Sequence, residues 1–295
     1  MTTKEAVMAE DEPKDKEEDE IEDKKMPLLD HLIELRNRLM YAVGALLVTF
    51  LVCYYFSEWI YAFLTAPLIR AYGILDSVRG STGGDPLLGR RMIFTAPQEV
   101  FLTYLKVSFF AGAFLAFPII ATQLWMFIAP GLYKNEKRAF LPFLAATPIL
   151  FFAGGALVYY VVAPFAFTFF LSFQTAGGAG QLPIELETRV TEYLSLMMQF
   201  IFAFGLCFQL PVLLTLLTRV GITSAAGLAS KRRYAIVGAF IVAAVITPPD
   251  VISQISLAVP IVFLYEVSIW CAKFVEKKRA EREAAEEAED AAADD

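Results

Sequence analysis

The chain has 295 residues, 57% of them hydrophobic and 14% aromatic, and its mean hydropathy is +0.54. Soluble domains are about 45–50% apolar, so this excess excludes an ordinary soluble enzyme and indicates a membrane protein. The net charge of −7 sits at the ends: residues 1–25 hold eleven acids and five lysines, residues 276–295 nine acids and four bases, and the rest is net positive; the acidic sign excludes a nucleic-acid-binding arm.

Residues 1–26 read as an acidic, disordered N-terminal tail, with no basic-then-apolar leader and hence no cleavable signal peptide. The amphipathic segment that follows places Leu28, Leu32, Leu35 and Leu39 three and four residues apart and carries His31, Glu34, Arg36 and Arg38. A bilayer core of about 30 Å takes about 20 helical residues. Uncharged stretches at 39–57, 107–133, 139–171, 193–218 and 234–247, and an apolar stretch at 251–272, predict six spans. The last two are divided at Pro248-Pro249-Asp250, where a helix does not continue comfortably. Fourteen uncharged residues make span five short, about 21 Å, and Glu266 shortens the apolar part of span six. Spans two and three are long enough to tilt. The expected fold is an all-α polytopic membrane protein, residues 27–275, forming a concave bundle with short last two helices. Residues 276–295 read as an acidic cytoplasmic tail of helical composition.

Lys and Arg mark the cytoplasmic loops. They cluster before span one (Lys24, Lys25, Arg36, Arg38), after span two (Lys134, Lys137, Arg138), after span four (Arg219, Lys231, Arg232, Arg233) and after span six. Both termini are therefore expected in the cytoplasm. The first loop, with Arg70, Arg79, Arg90 and Arg91, dissents but is long enough to be translocated. Cys53, Cys207 and Cys271 fall in or near apolar runs and read as free, buried thiols. A single histidine, His31, rules out two-histidine haem ligation and a HExxH zinc site, and no nucleotide-binding or nucleophile-elbow motif is present. No cofactor is expected, and no enzymatic activity.

Glu34 has an ordinary reading as an exposed acid paired with Arg38 at i+4. Glu136, in the basic loop after Pro130-Gly131, reads equally well as a solvated loop acid. Gln209 falls within span four and needs a hydrogen-bond partner, inside the bundle or on a neighbouring helix. Asp250 fits the N-cap of span six, with Gln254 one turn on. Glu266 is an ionisable group at membrane depth, which is a functional hypothesis by default, with a buried structural contact as the alternative.

Three stretches together go further. "HLIELRNRL", the segment from "APQEVFLTYLK" to "FIAPGLYKNEKR", and "VGAFIVAAVITPPDVISQISLAVPIVFLYE" closely resemble the TatC family, core subunits of twin-arginine protein translocases, over about residues 27–275. The resemblance implies six spans with both ends cytoplasmic, in the inner cell membrane, and no catalysis. It implies a receptor for signal peptides bearing two consecutive arginines, single-span partners of the TatA and TatB type, self-association, and use of the proton-motive force to export folded proteins. By resemblance the paired-arginine site maps to Glu34 and Glu136, with Phe127 and Arg36 nearby, and partner-helix docking to Gln209, Gln254 and Asp250. The family usually has glutamate where this chain has Gln209, so a protonation role there is in doubt. A small-molecule permease or channel is the alternative; it would concentrate charge near the midplane, whereas Glu34 and Glu136 flank spans.

Overall fold

A computed structural model describes residues 14–79, 90–132, 137–175, 177–178, 180, 182–247 and 251–293. The first helix, α1 (Lys14–Tyr55), starts inside the segment expected to be a disordered tail. Residues 14–25 are rich in Lys and Glu, strong helix formers, and the helix of span one extends backwards into them through Pro27. Next comes α2 (Ser57–Val78), a helix where the sequence suggested only a loop. The strand β1 (Met92–Ile93) leads into α3 (Glu99–Leu132).

Span three is built from α4 (Lys137–Leu157), a π-helical turn over Val158–Val162 and α5 (Ala163–Ser172). Strand β2 (Thr188–Arg189) pairs in parallel with β1 and leads to span four. That span consists of α6 (Val190–Cys207) and α7 (Leu210–Arg219), broken at Phe208-Gln209 just ahead of Pro211. A short α8 (Ala225–Ser230) precedes α9 (Arg232–Ile246) and α10 (Val251–Ala293).

Among the described residues five stretches are long and apolar enough to cross a membrane: 31–55, 99–127, 142–172, 190–219 and 253–282. The sixth expected span, α9, has 15 residues, a length of about 22 Å. Its predicted shortness holds. For α10 the expectation needs correcting, since the helix runs 43 residues. Only its apolar part is short, because the Lys, Arg, Glu and Ala that follow are strong helix formers and carry the helix on into the charged segment.

Helices α1, α4 and α9 start at the end where His31 of α1 stacks on Phe127 of α3, and α3 and α6 start at the opposite end. These are called the Glu34 end and the Glu99 end. The main core joins α2, α5 and α6 around Leu64, Leu68, Phe167, Leu194, Met197 and Phe204. Close approach of α4 and α6 depends on glycine. A Cβ on Gly154 would lie 2.7 Å from the Phe204 carbonyl oxygen, and one on Gly205 would lie 2.6 Å from the Phe151 ring. Gly112 likewise lets α3 meet the α1 backbone at Phe50, and the Thr49 hydroxyl donates to its carbonyl at 2.9 Å. The bundle is open on one side: α1, α3, α6 and the far end of α9 leave an apolar groove of about 980 Å³.

Candidate functional site at the Glu34 end

Four residues separate Glu34 from Arg38, so one helical turn brings them together. Nε of Arg38 donates to Oε1 of Glu34 at 2.9 Å, and Nη2 donates to the same oxygen. The expected pair is present, and among the described residues Oε2 takes no hydrogen bond. Glu34 keeps a third of its side-chain surface, so the carboxylate is reachable. One turn earlier, His31 lies flat on Phe127, ring centroids 4.3 Å apart and planes within 16°. This contact holds α1, at its eighteenth residue, against the end of α3 and sets Phe127 beside the Glu34 helix.

Arg36 is not drawn into this arrangement. It is exposed, two residues from Glu34 and therefore on another side of α1, and among the described residues it reaches only the Asn37 side chain, at 3.4 Å. Glu136 and Asp250 lie outside the described residues, so the structure leaves their placement open. His31 had been noted only as the lone histidine. Its contact with Phe127 bridges 96 positions, and no local pattern signals it.

The amides expected to face partner helices are both used within the bundle. Nε2 of Gln209 donates to the Thr147 carbonyl on α4 at 3.0 Å, while its Oε1 is buried without a partner among the described residues. Thr147 in turn receives the indole N–H of Trp125 on its hydroxyl at 2.9 Å. Gln209 therefore faces α4, turned there by the break between α6 and α7. Nε2 of Gln254 donates to the Phe240 carbonyl on α9 at 3.2 Å. No contact joins the two amides among the described residues.

Glu266, too, has a partner on a neighbouring helix. It pairs with Arg232 at 2.7 Å, and both side chains are about half exposed. Arg232 opens α9, so Glu266 lies level with the start of that helix. The cause is the shortness of α9: its first residue comes level with the sixteenth residue of α10. Nearby, Glu276 accepts from the Ala225 backbone N–H at 2.8 Å and, with the Ser224 cap, completes the start of α8. The acidic C-terminal segment is thus tied to the bundle at its first residue.

At the Glu99 end a second polar cluster went unnoticed in the sequence. Glu99 accepts from Thr95 N–H at 2.8 Å, Ala96 N–H at 3.3 Å, the Thr95 hydroxyl at 3.2 Å and the Thr191 hydroxyl at 2.8 Å. Arg189 lies 3.8 Å away and donates to Thr95 at 2.8 Å. A glutamate reaching back over the first turn of its own helix is the available signal; the Thr191 and Arg189 contacts come from β1–β2 pairing and have no local signature.

The family model described as "Sec-independent protein translocase protein (TatC)" matches residues 30–260. A Sec-independent protein translocase protein TatC from Magnetococcus marinus is 52% identical over 270 residues, covering 92% of each chain. The protein of the same description from Escherichia coli K12 is 40% identical over 257 residues, 87% of this chain and 92% of its own. Among solved structures, one described as the twin arginine translocase receptor TatC superposes with a TM-score of 0.68 at 33% identity, covering 83% of this chain and 99% of that one. The chain belongs to the TatC family of Sec-independent protein translocase proteins.

Proposed function

We propose that this chain is the signal-peptide receptor and core membrane subunit of a twin-arginine translocase, exporting folded proteins at the expense of the proton-motive force. The relatives' descriptions support translocation, a transport role rather than a catalytic one. The Glu34 end faces the cytoplasm and both termini lie there, since the Lys and Arg clusters flank that end.

The observation that carries the site is the state of Glu34. Its carboxylate already takes a guanidinium, that of Arg38, on one oxygen while the other is left open, beside an aromatic pair that offers a flat apolar wall. A cargo arginine meets Oε2 directly or displaces Arg38, an exchange of like for like. Arginine suits this better than lysine because its planar fork meets a carboxylate through two bonds and stacks on rings. Glu136 takes the second arginine from the loop between α3 and α4. Arg36 adds positive potential without touching Glu34.

Single-span partners of the TatA and TatB type dock on α9 and α10 near Gln254, where Val237, Ile241, Ile255 and Val259 present apolar surface, and Asp250 is assigned to the same role by the family resemblance alone. The inward commitment of Gln209 to Thr147 makes it a support of that face rather than a contact.

The test is equilibrium binding of a peptide bearing Arg-Arg to the full chain in nanodiscs, against the same peptide with Lys-Lys. A charge-assisted hydrogen bond is worth about 1.5–3 kcal/mol. Glu34→Gln, which keeps shape and loses charge, should weaken Arg-Arg binding by about ten- to a hundredfold. Unchanged affinity in both Glu34→Gln and Glu136→Gln would sink the assignment.

A further inference from the structure

The groove between α1, α3, α6 and α9 is lined by Phe50, Phe109, Phe110, Phe202, Leu206 and Val245, among other apolar side chains. Three polar side chains interrupt it: Lys106, Ser195 and Gln199. Lys106 and Gln199 are exposed, and among the described residues neither side chain has a hydrogen bond or ion pair. No acid lines the groove. The nearest acid in the sequence of α3, Glu99, is already occupied by Thr95, Ala96 and Thr191. A cation facing hydrocarbon is unfavourable unless it meets an anion or reaches the headgroup layer.

Depth decides which anion is at hand. Lys106 lies seven residues into α3, about 10 Å from its start at the Glu99 end. Helix α9 is about 22 Å long, well short of a 30 Å hydrocarbon core. Its last residues, Val245 and Ile246, line the same groove as Lys106. A bilayer that meets a short helix thins around it, so the headgroups of the leaflet at the Glu99 end descend towards the level of Lys106.

We propose that the groove holds a phospholipid of that leaflet, its phosphate on Lys106 Nζ and Gln199 Nε2 and its acyl chains along Phe109, Phe110, Phe202 and Leu206. An ammonium and an amide N–H are both donors, and a phosphodiester offers only acceptors. Lysine binds phosphate as a point charge with three donors and does not need a planar partner. The bound lipid closes the open side of the bundle, so the groove is neither a water path nor an empty cleft. The inference does not rest on the signal-peptide reading, since it concerns the opposite end of the molecule.

The test is native mass spectrometry of the full chain released from nanodiscs of phosphatidylglycerol, phosphatidylethanolamine or a phosphate-free glycosyl diacylglycerol. The protein should retain a phospholipid through activation that strips the others, and should not retain the glycolipid. Lys106→Gln should lower retention about tenfold, the loss of one charge-assisted bond, and Lys106→Arg should restore it. Lys273→Gln, exposed and outside the groove, should change nothing. Equal retention of the glycolipid, or undiminished retention by Lys106→Gln, overturns the site. A photoreactive benzoylphenylalanine in place of Phe202 keeps Lys106 intact and decides the matter should the lysine variant fail to fold. An adduct with the mass of a phospholipid supports the proposal, and crosslinks to polypeptide alone, whether a partner helix or a second copy, refute it.

Discussion

Glu99 accepts hydrogen bonds from four donors, three on the loop before α3 and one on α6, and lies beside Arg189, whereas among the described residues Glu34 accepts only from Arg38, on its own helix. The same residue type at opposite ends of the bundle is thus put to opposite uses. The Glu99 end is further tied by β1–β2 pairing, by the Tyr193 hydroxyl of α6 on the Leu64 carbonyl of α2 at 2.8 Å, and by Tyr159 of the π-helical turn on the Phe63 carbonyl of α2 at 2.9 Å. At the Glu34 end, α1 is attached mainly through α3, and its remaining surface is open. A carboxylate whose acceptor sites are filled by the fold cannot take a ligand without undoing the fold. One that holds a single half-buried i,i+4 partner, worth about 0.3–0.5 kcal/mol, can exchange it.

The comparison presupposes that both ends are held on one rigid frame, and the crossing of α4 and α6 is where that frame is most easily broken. Gly154→Val would push methyl groups against the Phe204 backbone, which cannot yield as a side-chain tip can. Overpacking of this kind costs about 1–3 kcal/mol, and the upper end applies here. Thermal unfolding in detergent should show it, along with loss of function at both ends. Gly44→Ala, which meets nothing within 4 Å, should leave the midpoint unchanged or raise it. Equal melting of the two variants would mean that the crossing does not hold the frame.

The two glutamates themselves provide the next test. Glu99→Ala leaves the Thr95 and Ala96 N–H groups and the Thr191 hydroxyl without their acceptor. It should cost about 1–3 kcal/mol of stability with no change in Arg-Arg peptide affinity for the fraction that folds. Glu34→Ala should do the reverse, melting within about 0.5 kcal/mol of the parent while losing peptide binding. A stability loss at Glu34 as large as at Glu99 would abolish the distinction.

The sequence reveals the exchangeable end better than the saturated one. The Glu34–Arg38 pair follows from i,i+4 spacing, and the spans follow from uncharged runs, including the short α9. Helix α2 was missed because Pro67, Arg70 and Asp76 interrupt its apolar residues and hide a helix that packs on α5 with Leu64, Leu68 and Leu75 buried. The Glu99 cluster and the His31–Phe127 stack are long-range, joining residues 92 and 96 positions apart, and only tertiary packing brings them together. The pairing of Glu266 with Arg232, 34 positions away, depends on where the short α9 starts and has no local signature. The inward turn of Gln209 depends on the break at Phe208, which Pro211 hints at without giving its direction.

A smaller effect sharpens the idea that Arg38 holds the place of a ligand. Arg38→Gln removes the competitor and leaves Glu34 free. Stability should change by no more than about 0.5 kcal/mol, and Arg-Arg peptide affinity should rise about twofold, the factor that corresponds to an exposed pair of that strength. A tenfold fall would show instead that Arg38 is part of the binding surface.

The smallest effect lies at the saturated end, in the bidentate pair between Arg90 and Asp76, whose two bonds measure 2.9 and 2.7 Å. Arg90 also sits 4.3 Å from the centroid of the Tyr72 ring. The hydrogen bonds from Arg90, and then its charge and that of Arg79, hold the Asp76 carboxyl below the usual aspartate range. A depressed folded-state pKa means that the unfolded chain binds the proton more readily. The pair's contribution is therefore complete above the unfolded value of about 3.9 and is lost as pH falls through the lower folded value. Both side chains keep about a quarter of their surface exposed, so water screens the pair and its worth at neutral pH stays below about 1 kcal/mol. Asp76→Asn should melt slightly below the parent at pH 7, and the gap should close as pH drops below 4. A gap that persists at pH 2 would assign the loss to packing of the first loop against α2 rather than to the charge.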